Sequence, residues 1–222
     1  LFNCLSSAKA QSANYPFCTI DAQQGQISVP DERLNKLAEL VKPGRIVPAT
    51  CDIVDIAGLV KGASQGEGLG NQFLGNIRET DAIIHVLRCF DNDNIVHVDG
   101  SVNPVRDKEI IDAELQLKDL ETVENRIKRV EKQARVGGDK QAKLEFDVLS
   151  AYRDALLQGK SARTVTFETE DEIATAKGLF LLTTKPVLYV CNVDDTSAAN
   201  GNPYVEAVRE AIKDEEAELL II

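Results

Sequence analysis

Hydrophobic residues follow two different periods along the chain. Continuous apolar runs, which are typical of buried strands, occupy residues 51–60, 82–90, 185–195 and 217–222. Apolar residues at helical spacing occupy residues 1–9, 31–43, 73–81 and 202–215. Strands that alternate with helices predict an α/β fold, with a mostly parallel sheet flanked by helices on both faces.

The pattern changes after about residue 107. Apolar residues recur there at alternating spacings of three and four, the seam of a coiled coil: Leu120, Val123, Ile127, Val130 and Ala134. Gly137-Gly138-Asp139 interrupts this seam, and later apolar positions predict a second helix: Ala142, Phe146, Leu149 and Leu156. We therefore expect an antiparallel helical hairpin inserted into the α/β domain. The expected division is α/β domain at 1–103, helical coiled-coil insertion at 104–176 and α/β domain again at 177–222.

Composition narrows the functional classes. The chain has 222 residues, 43% hydrophobic and 27% charged, with a net charge of -11. This balance argues against a nucleic-acid-binding surface over the whole molecule and against sequence-specific DNA binding. The five cysteines are scattered and form no C-x-x-C pair, which favours reduced thiols in a cytoplasmic protein. No apolar run reaches the roughly 18 residues that a membrane span needs.

Basic residues gather at the turn of the predicted hairpin. They are Lys128, Arg129, Lys132, Arg135, Lys140 and Lys143. In an acidic chain this concentration favours a phosphate-rich partner such as RNA. A solvated helix face would show the same residues, so both interpretations stay open.

Three motifs stand where ligands bind in a parallel sheet, at the carboxyl ends of strands or in the loops beside them. Asp55-Ile56-Ala57-Gly58 follows an apolar strand and precedes a glycine-rich segment, a pattern that in P-loop NTPases serves magnesium and the terminal phosphate. Asn192-Val193-Asp194-Asp195 ends the strand at 185–195, where GTPases carry N-K-x-D for the base. Thr19 lies where a switch threonine would complete a magnesium shell. Each motif alone is also compatible with a plain turn or surface position.

Longer segments carry a family resemblance. The sequences ANYPFCTI, VPDERL, DIAGLVKGASQGEGLGNQFL, NIRETDAIIHVLRCF and KPVLYVCNVDD resemble the YchF or Obg-like ATPase family. The resemblance implies a P-loop ATPase related to translation factors, with magnesium as cofactor, ATP as substrate and a ribosome or another RNA-rich particle as partner. It places Thr19 and Asp55 at the magnesium ion and Gly58 at the terminal phosphate. Asn192 and Val193 would face adenine, Val193 through its backbone, with Asp195 in the same base-binding motif.

The chain departs from the family pattern in several places. The family's Walker A motif would precede Leu1 and its TGS domain would follow Ile222, so we expect the chain as given to bind nucleotide poorly. Asp195 stands where the family usually has Glu, and an Asp at this position is the choice of GTPases. Val193 replaces the lysine that packs on guanine, which favours ATP while leaving GTP as an alternative.

Two histidines, His85 and His97, are candidates for a residue that assists hydrolysis. Leu59 follows Gly58 where many GTPases have a glutamine that orients water, and an aliphatic side chain cannot do this. His85 lies within an apolar strand, which favours a core histidine. His97 lies in a polar segment beyond that strand and matches a family histidine suspected of aiding hydrolysis, so we predict that it is the catalytic residue. A surface histidine is the alternative.

Two functions from different classes therefore compete. The first is an ATP-hydrolysing switch, which His97 supports. The second is a nucleotide-sensing binding module with incidental hydrolysis, which Leu59 supports. A purely structural coiled-coil adaptor is disfavoured because the hairpin occupies only about a third of the chain.

Overall fold

The computed structural model describes residues 1–6, 23–56, 70–95, 97, 100–136 and 138–222. They belong to two compact units, residues 1–58 and residues 59–222. Four cysteines in the described ranges are free thiols, of which Cys4 and Cys51 are exposed and Cys89 and Cys191 are buried. None of the helices in these ranges is both long enough and apolar enough to cross a membrane.

The first unit is built on an antiparallel pair of strands. After a short helix α1 (Phe2–Leu5), strand β1 (Gln23–Ser28) pairs with β2 (Thr50–Asp55), and helix α2 (Glu32–Val41) lies between them in the chain. Asp31 caps α2 by accepting a hydrogen bond from the Arg33 amide at 2.9 Å. The left-handed Lys42 then ends it. The helix predicted between Asp31 and Pro43 is confirmed.

The second unit contains a parallel sheet. Its strands are β3 (Ile83–Arg88), β4 (Val187–Asn192) and β5 (Glu218–Ile221), paired in that order and all parallel. Helices α3 (Gly70–Arg78) and α7 (Pro203–Ala211) belong to the same unit. The buried cluster of the sheet joins alternate residues of β3 and β4 to α7: Leu87, Cys89, Tyr189, Cys191, Val205, Val208 and Ile212. The predicted α/β fold with a parallel sheet is confirmed, while the two strands of the first unit are antiparallel.

The helical hairpin consists of α4 (Pro104–Val136) and α5 (Lys140–Leu157). Gly138 has a φ of +63° at the turn, and the Asp139 carboxylate accepts hydrogen bonds from the amides of Gln141 and Ala142. The helices run antiparallel, and Arg126 in the second half of α4 accordingly pairs with Glu145 in the first half of α5. Their buried core includes the predicted seam residues Val123, Ile127, Val130, Leu149 and Leu156. The predicted hairpin is therefore confirmed.

Three shorter helices complete this part of the chain. A 3₁₀ helix (Ala162–Thr164), helix α6 (Glu170–Lys177) and a second 3₁₀ helix (Leu182–Thr184) follow α5. Thr169 and Glu172 form a reciprocal capping box at the start of α6. Ala162, Ala176 and Leu181 from these elements join the hairpin core, which extends that core beyond the two long helices.

Two buried charges fix the first half of α4 to the rest of the unit. Asp119 is 0% exposed and accepts hydrogen bonds from the Leu182 amide (2.8 Å) and from the amide and hydroxyl of Thr183 (both 2.7 Å). Lys108 is 6% exposed, and its Nζ lies 2.6 Å from carboxylate oxygens of both Asp112 and Glu215. Because unpaired charges are costly to bury, these contacts hold α4 against the second 3₁₀ helix and against Glu215, which follows α7.

Candidate functional site

The carboxyl edge of the parallel sheet carries two of the predicted segments. Beyond the end of β3, the Cys89 amide donates a hydrogen bond to the Asn192 carbonyl at 2.7 Å. Beyond the end of β4, the Val193 amide donates to the Ile222 carbonyl at 2.9 Å. The sheet pairing thus continues one residue past each strand, and the loops that follow start from neighbouring positions. This is the edge at which α/β sheets bind ligands.

The predicted base motif occupies the loop after β4. Asp194 closes the turn, since its Oδ1 accepts hydrogen bonds from the Thr196 hydroxyl (2.6 Å) and the Ser197 amide (2.9 Å). These bonds, the one from Thr196 first, hold the pKa of Asp194 below its usual value. Asn192 is half-buried and Asp195 is exposed, and neither side chain has a hydrogen-bond partner in the described part of the chain.

Val193 contributes to the sheet core through its side chain, which packs against the cluster of β3, β4 and α7. Its amide hydrogen is used by Ile222, so the backbone group of Val193 that remains for a ligand is the carbonyl oxygen. This refines the expectation that Val193 meets the base through its backbone.

Arg88 organises the loop between β3 and His97. Its guanidinium donates three hydrogen bonds, to the carbonyl oxygens of Phe90 (3.1 Å), Ile95 (3.0 Å) and Asn92 (3.2 Å). Three carbonyls are thereby drawn to one side chain, which fixes the path of the loop.

Residues at the start of α7 also contact the loop that follows β3. Asn202 donates from its amide nitrogen to the Cys89 carbonyl at 2.7 Å, and the Tyr204 hydroxyl lies 2.9 Å from Oδ2 of Asp91. The Asn202 side-chain oxygen also caps α7 by accepting from the Val205 amide at 3.1 Å. The loops after β3 and β4 are therefore joined by direct contacts.

His97 stands against the first turn of α4. Its Nε2 lies 2.9 Å from Oδ2 of Asp107, and the two side chains are 16% and 23% exposed. The other Asp107 oxygen faces Arg106, whose Nη2 lies 2.9 Å away. Sequence reasoning identified His97 but missed Asp107 and Arg106. A carboxylate ten residues from a histidine gives no periodic signal, so only its place in the first turn of a helix could have drawn attention to it.

Asp55, the predicted magnesium ligand, belongs to the first unit. It is the last residue of β2, lies opposite Gln23 in the strand pair, and is half-buried. Its carboxylate has no hydrogen bond or ion pair with described residues. Mg²⁺ takes one or two protein carboxylates and keeps several waters, so a single carboxylate of this kind suits it. The other two predicted ligands in this region, Thr19 and Gly58, lie outside the described residues, as does Leu59.

No group of three or more His, Cys, Asp or Glu side chains with metal-binding geometry occurs within the described ranges. Of the two predicted magnesium ligands, Thr19 and Asp55, the structure describes Asp55.

The basic tip, which we define as residues 126–143, is the third predicted functional region. It holds seven Lys or Arg residues against two acidic ones, a net charge of +5 in a chain of net charge -11. Arg126 pairs with Glu145, and Arg135 pairs with Glu131 at 2.9 Å. The other five cations are exposed and form no ion pair within the described residues: Lys128, Arg129, Lys132, Lys140 and Lys143.

A parallel sheet with a base-type motif at its carboxyl edge and a D-x-x-G after β2 are features of the class of P-loop NTPases. A family model described as "50S ribosome-binding GTPase" matches residues 1–126. The chain belongs to the YchF or Obg-like family of these NTPases.

Individual relatives agree with this placement. The chain is 52% identical over 224 residues to "Ribosome-binding ATPase YchF" of Bacillus subtilis, covering 100% of this chain and 61% of the relative. It is 53% identical over 210 residues to the protein of that name from Escherichia coli O157:H7, covering 95% and 57%. The structure of the Schizosaccharomyces pombe YchF GTPase superposes with a TM-score of 0.75 at 37% identity, covering 95% and 57%. The chain thus spans less than two thirds of each of these proteins.

Proposed function

We propose that the protein containing this chain is an ATP-hydrolysing switch that acts on the ribosome in the cytoplasm. The observation that carries the proposal is the loop after β4. There the Asp194 carboxylate accepts the hydrogen bonds that close the turn. The side chains of Asn192 and Asp195 have no hydrogen-bond partners in the described residues. A turn that needed these side chains only for its own geometry would have engaged them. The bacterial relatives, which are named ribosome-binding ATPases, support the same function.

Adenine fits the base motif better than guanine for two reasons. Val193 stands where guanine-binding proteins place a lysine that packs along the base. With its amide used by Ile222, Val193 offers a carbonyl oxygen, which can accept a hydrogen bond from the amino group of adenine. Guanine presents a carbonyl oxygen at that position, and two acceptors repel. The Schizosaccharomyces pombe relative is named a GTPase, so GTP is the competitor that must be tested.

Magnesium would be held by Asp55 and Thr19, with the Gly58 amide at the terminal phosphate. When bound, the ion neutralises charge on the phosphates. The carboxylate of Asp55, which has no partner among the described residues, supports this assignment. The change Asp55→Asn should raise the magnesium concentration needed for half-maximal nucleotide binding, measured by fluorescence of a labelled nucleotide at several magnesium concentrations.

His97 would assist the attacking water, because Leu59 cannot do so. A neutral imidazole can accept a hydrogen bond from water and then a proton. The contact with Asp107 supports a defined orientation for this ring.

We propose the basic tip as the surface that meets ribosomal RNA. Its five cations without ion pairs in the described residues are the charges that a phosphate backbone would neutralise. The division into a nucleotide-binding domain at 1–103 and 177–222, with a coiled-coil insertion at 104–176, belongs to this proposal. It assigns catalysis and docking to different parts of the chain.

Single-turnover hydrolysis tests the proposal against its alternative. The protein should be prepared at the full length of its relatives, and ATP and GTP compared at saturating enzyme. A switch that hydrolyses ATP should convert it in one exponential phase that slows strongly in His97→Ala. A nucleotide-sensing module with incidental hydrolysis would bind ATP equally well but convert it at the same slow rate with and without His97.

A further inference from the structure

We propose that Asp107 is the positioning residue for His97. Its carboxylate holds the imidazole so that Nδ1 is the ring atom that receives the proton of the attacking water. The inference rests on the proposed catalytic role of His97 and adds a residue to it. It starts from the 2.9 Å separation between Nε2 of His97 and Oδ2 of Asp107.

The contact determines which ring nitrogen can act as a base. A carboxylate can only accept a hydrogen bond, so a neutral His97 donates through Nε2–H. The lone pair of the neutral ring then lies on Nδ1. A carboxylate behind an imidazole fixes the tautomer and stabilises the imidazolium that forms when the ring takes a proton.

Asp107 is itself held in place. Its second oxygen receives hydrogen bonds from Nε (3.2 Å) and Nη2 (2.9 Å) of Arg106. The same guanidinium donates to the carbonyl of Ser101 at 2.7 Å, which ties it to the loop before α4. The carboxylate also lies in the first turn of α4, where the helix dipole favours negative charge. Rotation of the carboxylate away from His97 would therefore break two hydrogen bonds to Arg106.

His97 is restrained as well. Its carbonyl accepts a hydrogen bond from the Gly100 amide at 3.1 Å, which closes a turn. Arg88 holds the preceding loop through three carbonyls. The side chain is only 16% exposed. Both partners are thus held by several contacts, which is what a catalytic group needs for a low reorganisation cost.

The proposed step balances as a simple hydrolysis. The water oxygen forms a bond to the γ-phosphorus, and the bond from that phosphorus to the oxygen bridging the β- and γ-phosphates breaks. The water proton passes to Nδ1 of His97, while Asp107 remains ionised beside the imidazolium. ADP and phosphate leave, and the ring returns its proton to solvent. Asp107 never touches the nucleotide.

A double-mutant cycle in the full-length protein tests the inference. The variants are Asp107→Asn, His97→Ala and their combination, with Asp107→Glu as the conservative replacement. Glu109→Gln is the matched control, because Glu109 is an exposed acid two residues further along α4. We expect Asp107→Asn to lower the single-turnover rate by about ten- to a hundredfold. The concentration of ATP at half-maximal rate should stay within about threefold of the wild type. Asp107→Glu should recover part of the loss.

The combination separates positioning from a structural role. If Asp107 acts through His97, Asp107→Asn should cause no further loss in the His97→Ala background. If Asp107 only stabilises the fold, the two losses should multiply, which would overturn the inference. An unchanged rate in His97→Ala would refute the proposed role of His97 and the positioning role together. A slow His97→Ala with Asp107→Asn equal to the Glu109→Gln control would refute the positioning role alone.

A spectroscopic readout remains decisive if the variants are too slow to assay. Long-range ¹H–¹⁵N correlation spectra distinguish the two imidazole tautomers. The wild type should show the Nε2–H form of His97. In Asp107→Asn the side-chain amide can donate or accept, so a fraction of the Nδ1–H form should appear. Identical tautomer populations in both proteins would contradict the inference.

Discussion

His85 and His97 are the two histidines of the chain, and their surroundings differ in kind. The imidazole of His85 lies 5.7 Å from the ring of Tyr189, beside the buried Lys108 network. Burial lowers the pKa of His85, Asp112 opposes this effect, and the nearby Lys108 acts in the same direction as burial. His97 instead has a carboxylate in direct contact. The first histidine is held neutral within the sheet unit, and the second is oriented.

The partly buried imidazole of His85 predicts a pH dependence of the free energy of unfolding. Its folded pKa lies below the ordinary value of 6.5, so below that pH the unfolded chain binds a proton that the folded chain does not. The free energy of unfolding should therefore be fully present above pH 6.5 and fall as the pH drops. The slope attributable to this group approaches about 1.4 kcal/mol per pH unit. Urea unfolding between pH 8 and 5.5 measures it.

The control for that experiment is His85→Gln, which cannot titrate. The difference between the two proteins isolates this histidine from the carboxylates that also titrate at lower pH. If the wild type and His85→Gln show the same pH dependence, the pKa of His85 is not lowered by folding.

Val193 supports a prediction about nucleotide choice. In the full-length protein ATP should compete better than GTP for a labelled nucleotide, because Val193 offers no packing surface for guanine. Val193→Lys should shift the preference toward GTP, since Asp195 could then read guanine as in N-K-x-D motifs. Competition titrations with both nucleotides measure the ratio. Tighter GTP binding by the unchanged protein, or no shift in the variant, would contradict the base assignment.

Among the larger elements, the helical hairpin has a core of its own. Leu149 is 0% exposed within that core, whereas Leu157 at the end of the same helix is 62% exposed. We expect Leu149→Ala to lower the free energy of unfolding by about 2–5 kcal/mol, through lost burial and the cavity left behind. Leu157→Ala should change it by less than about 0.5 kcal/mol. Urea unfolding followed by circular dichroism gives both values, and equal effects would contradict the described packing.

The hairpin was the most predictable element because its signals are local. Val123, Ile127 and Val130 lie one helical turn apart, and Gly138 in the turn adjoins the Asp139 cap of α5. Neighbouring residues alone specify both helices and the turn. The helix between Asp31 and Pro43 was predictable for the same reason.

Features that join distant residues were beyond such patterns. The carboxylate of Asp119 caps the backbone of Leu182 and Thr183, and Ile83 pairs with Val187 across the sheet. Neither contact leaves a period in the sequence. In the site, too, only local signals could be used: the ends of the predicted strands indicated the base motif and His97. Only the structure shows that Asp107, in the first turn of α4, lies beside His97. The roles of Asp55, Asn192, Val193, Asp195 and His97 stay predictions.

Across the whole molecule, charge is unevenly distributed. The basic tip carries +5, which leaves the remainder of the chain at -16. The negative remainder repels a phosphate-rich partner, whereas the basic tip attracts it. This uneven charge would orient the basic tip toward a phosphate-rich partner during association, in addition to strengthening the contact itself.

This asymmetry predicts a salt-dependent interaction with RNA. The triple variant Lys128→Gln, Arg129→Gln, Lys132→Gln should weaken binding of a labelled double-stranded RNA. It should also reduce the slope of log affinity against log salt by about 1 for each lost phosphate contact. Fluorescence polarisation at several salt concentrations measures both. ATP hydrolysis should be unchanged, because the tip contains no proposed catalytic group.

The matched control removes three exposed lysines elsewhere: Lys36, Lys160 and Lys177, each changed to Gln. It alters the net charge by the same amount. Equal loss of RNA affinity in both triple variants would show that net charge matters and that the tip has no special role.

The continuity of α4 has a mechanical consequence. One uninterrupted helix of 33 residues links Asp107 in its first turn to Arg135 in its last, and Asp119 lies between them under three hydrogen bonds. At 1.5 Å per residue the fulcrum at Asp119 stands about 18 Å from Asp107 and about 25 Å from the far end. A tilt of about 5° about that fulcrum would swing the far end by about 2 Å and carry Asp107 about 1.6 Å the other way. Because Lys108 beside Asp107 is held by Asp112 and Glu215, a load on the far end would strain these ion pairs together with the contact to His97.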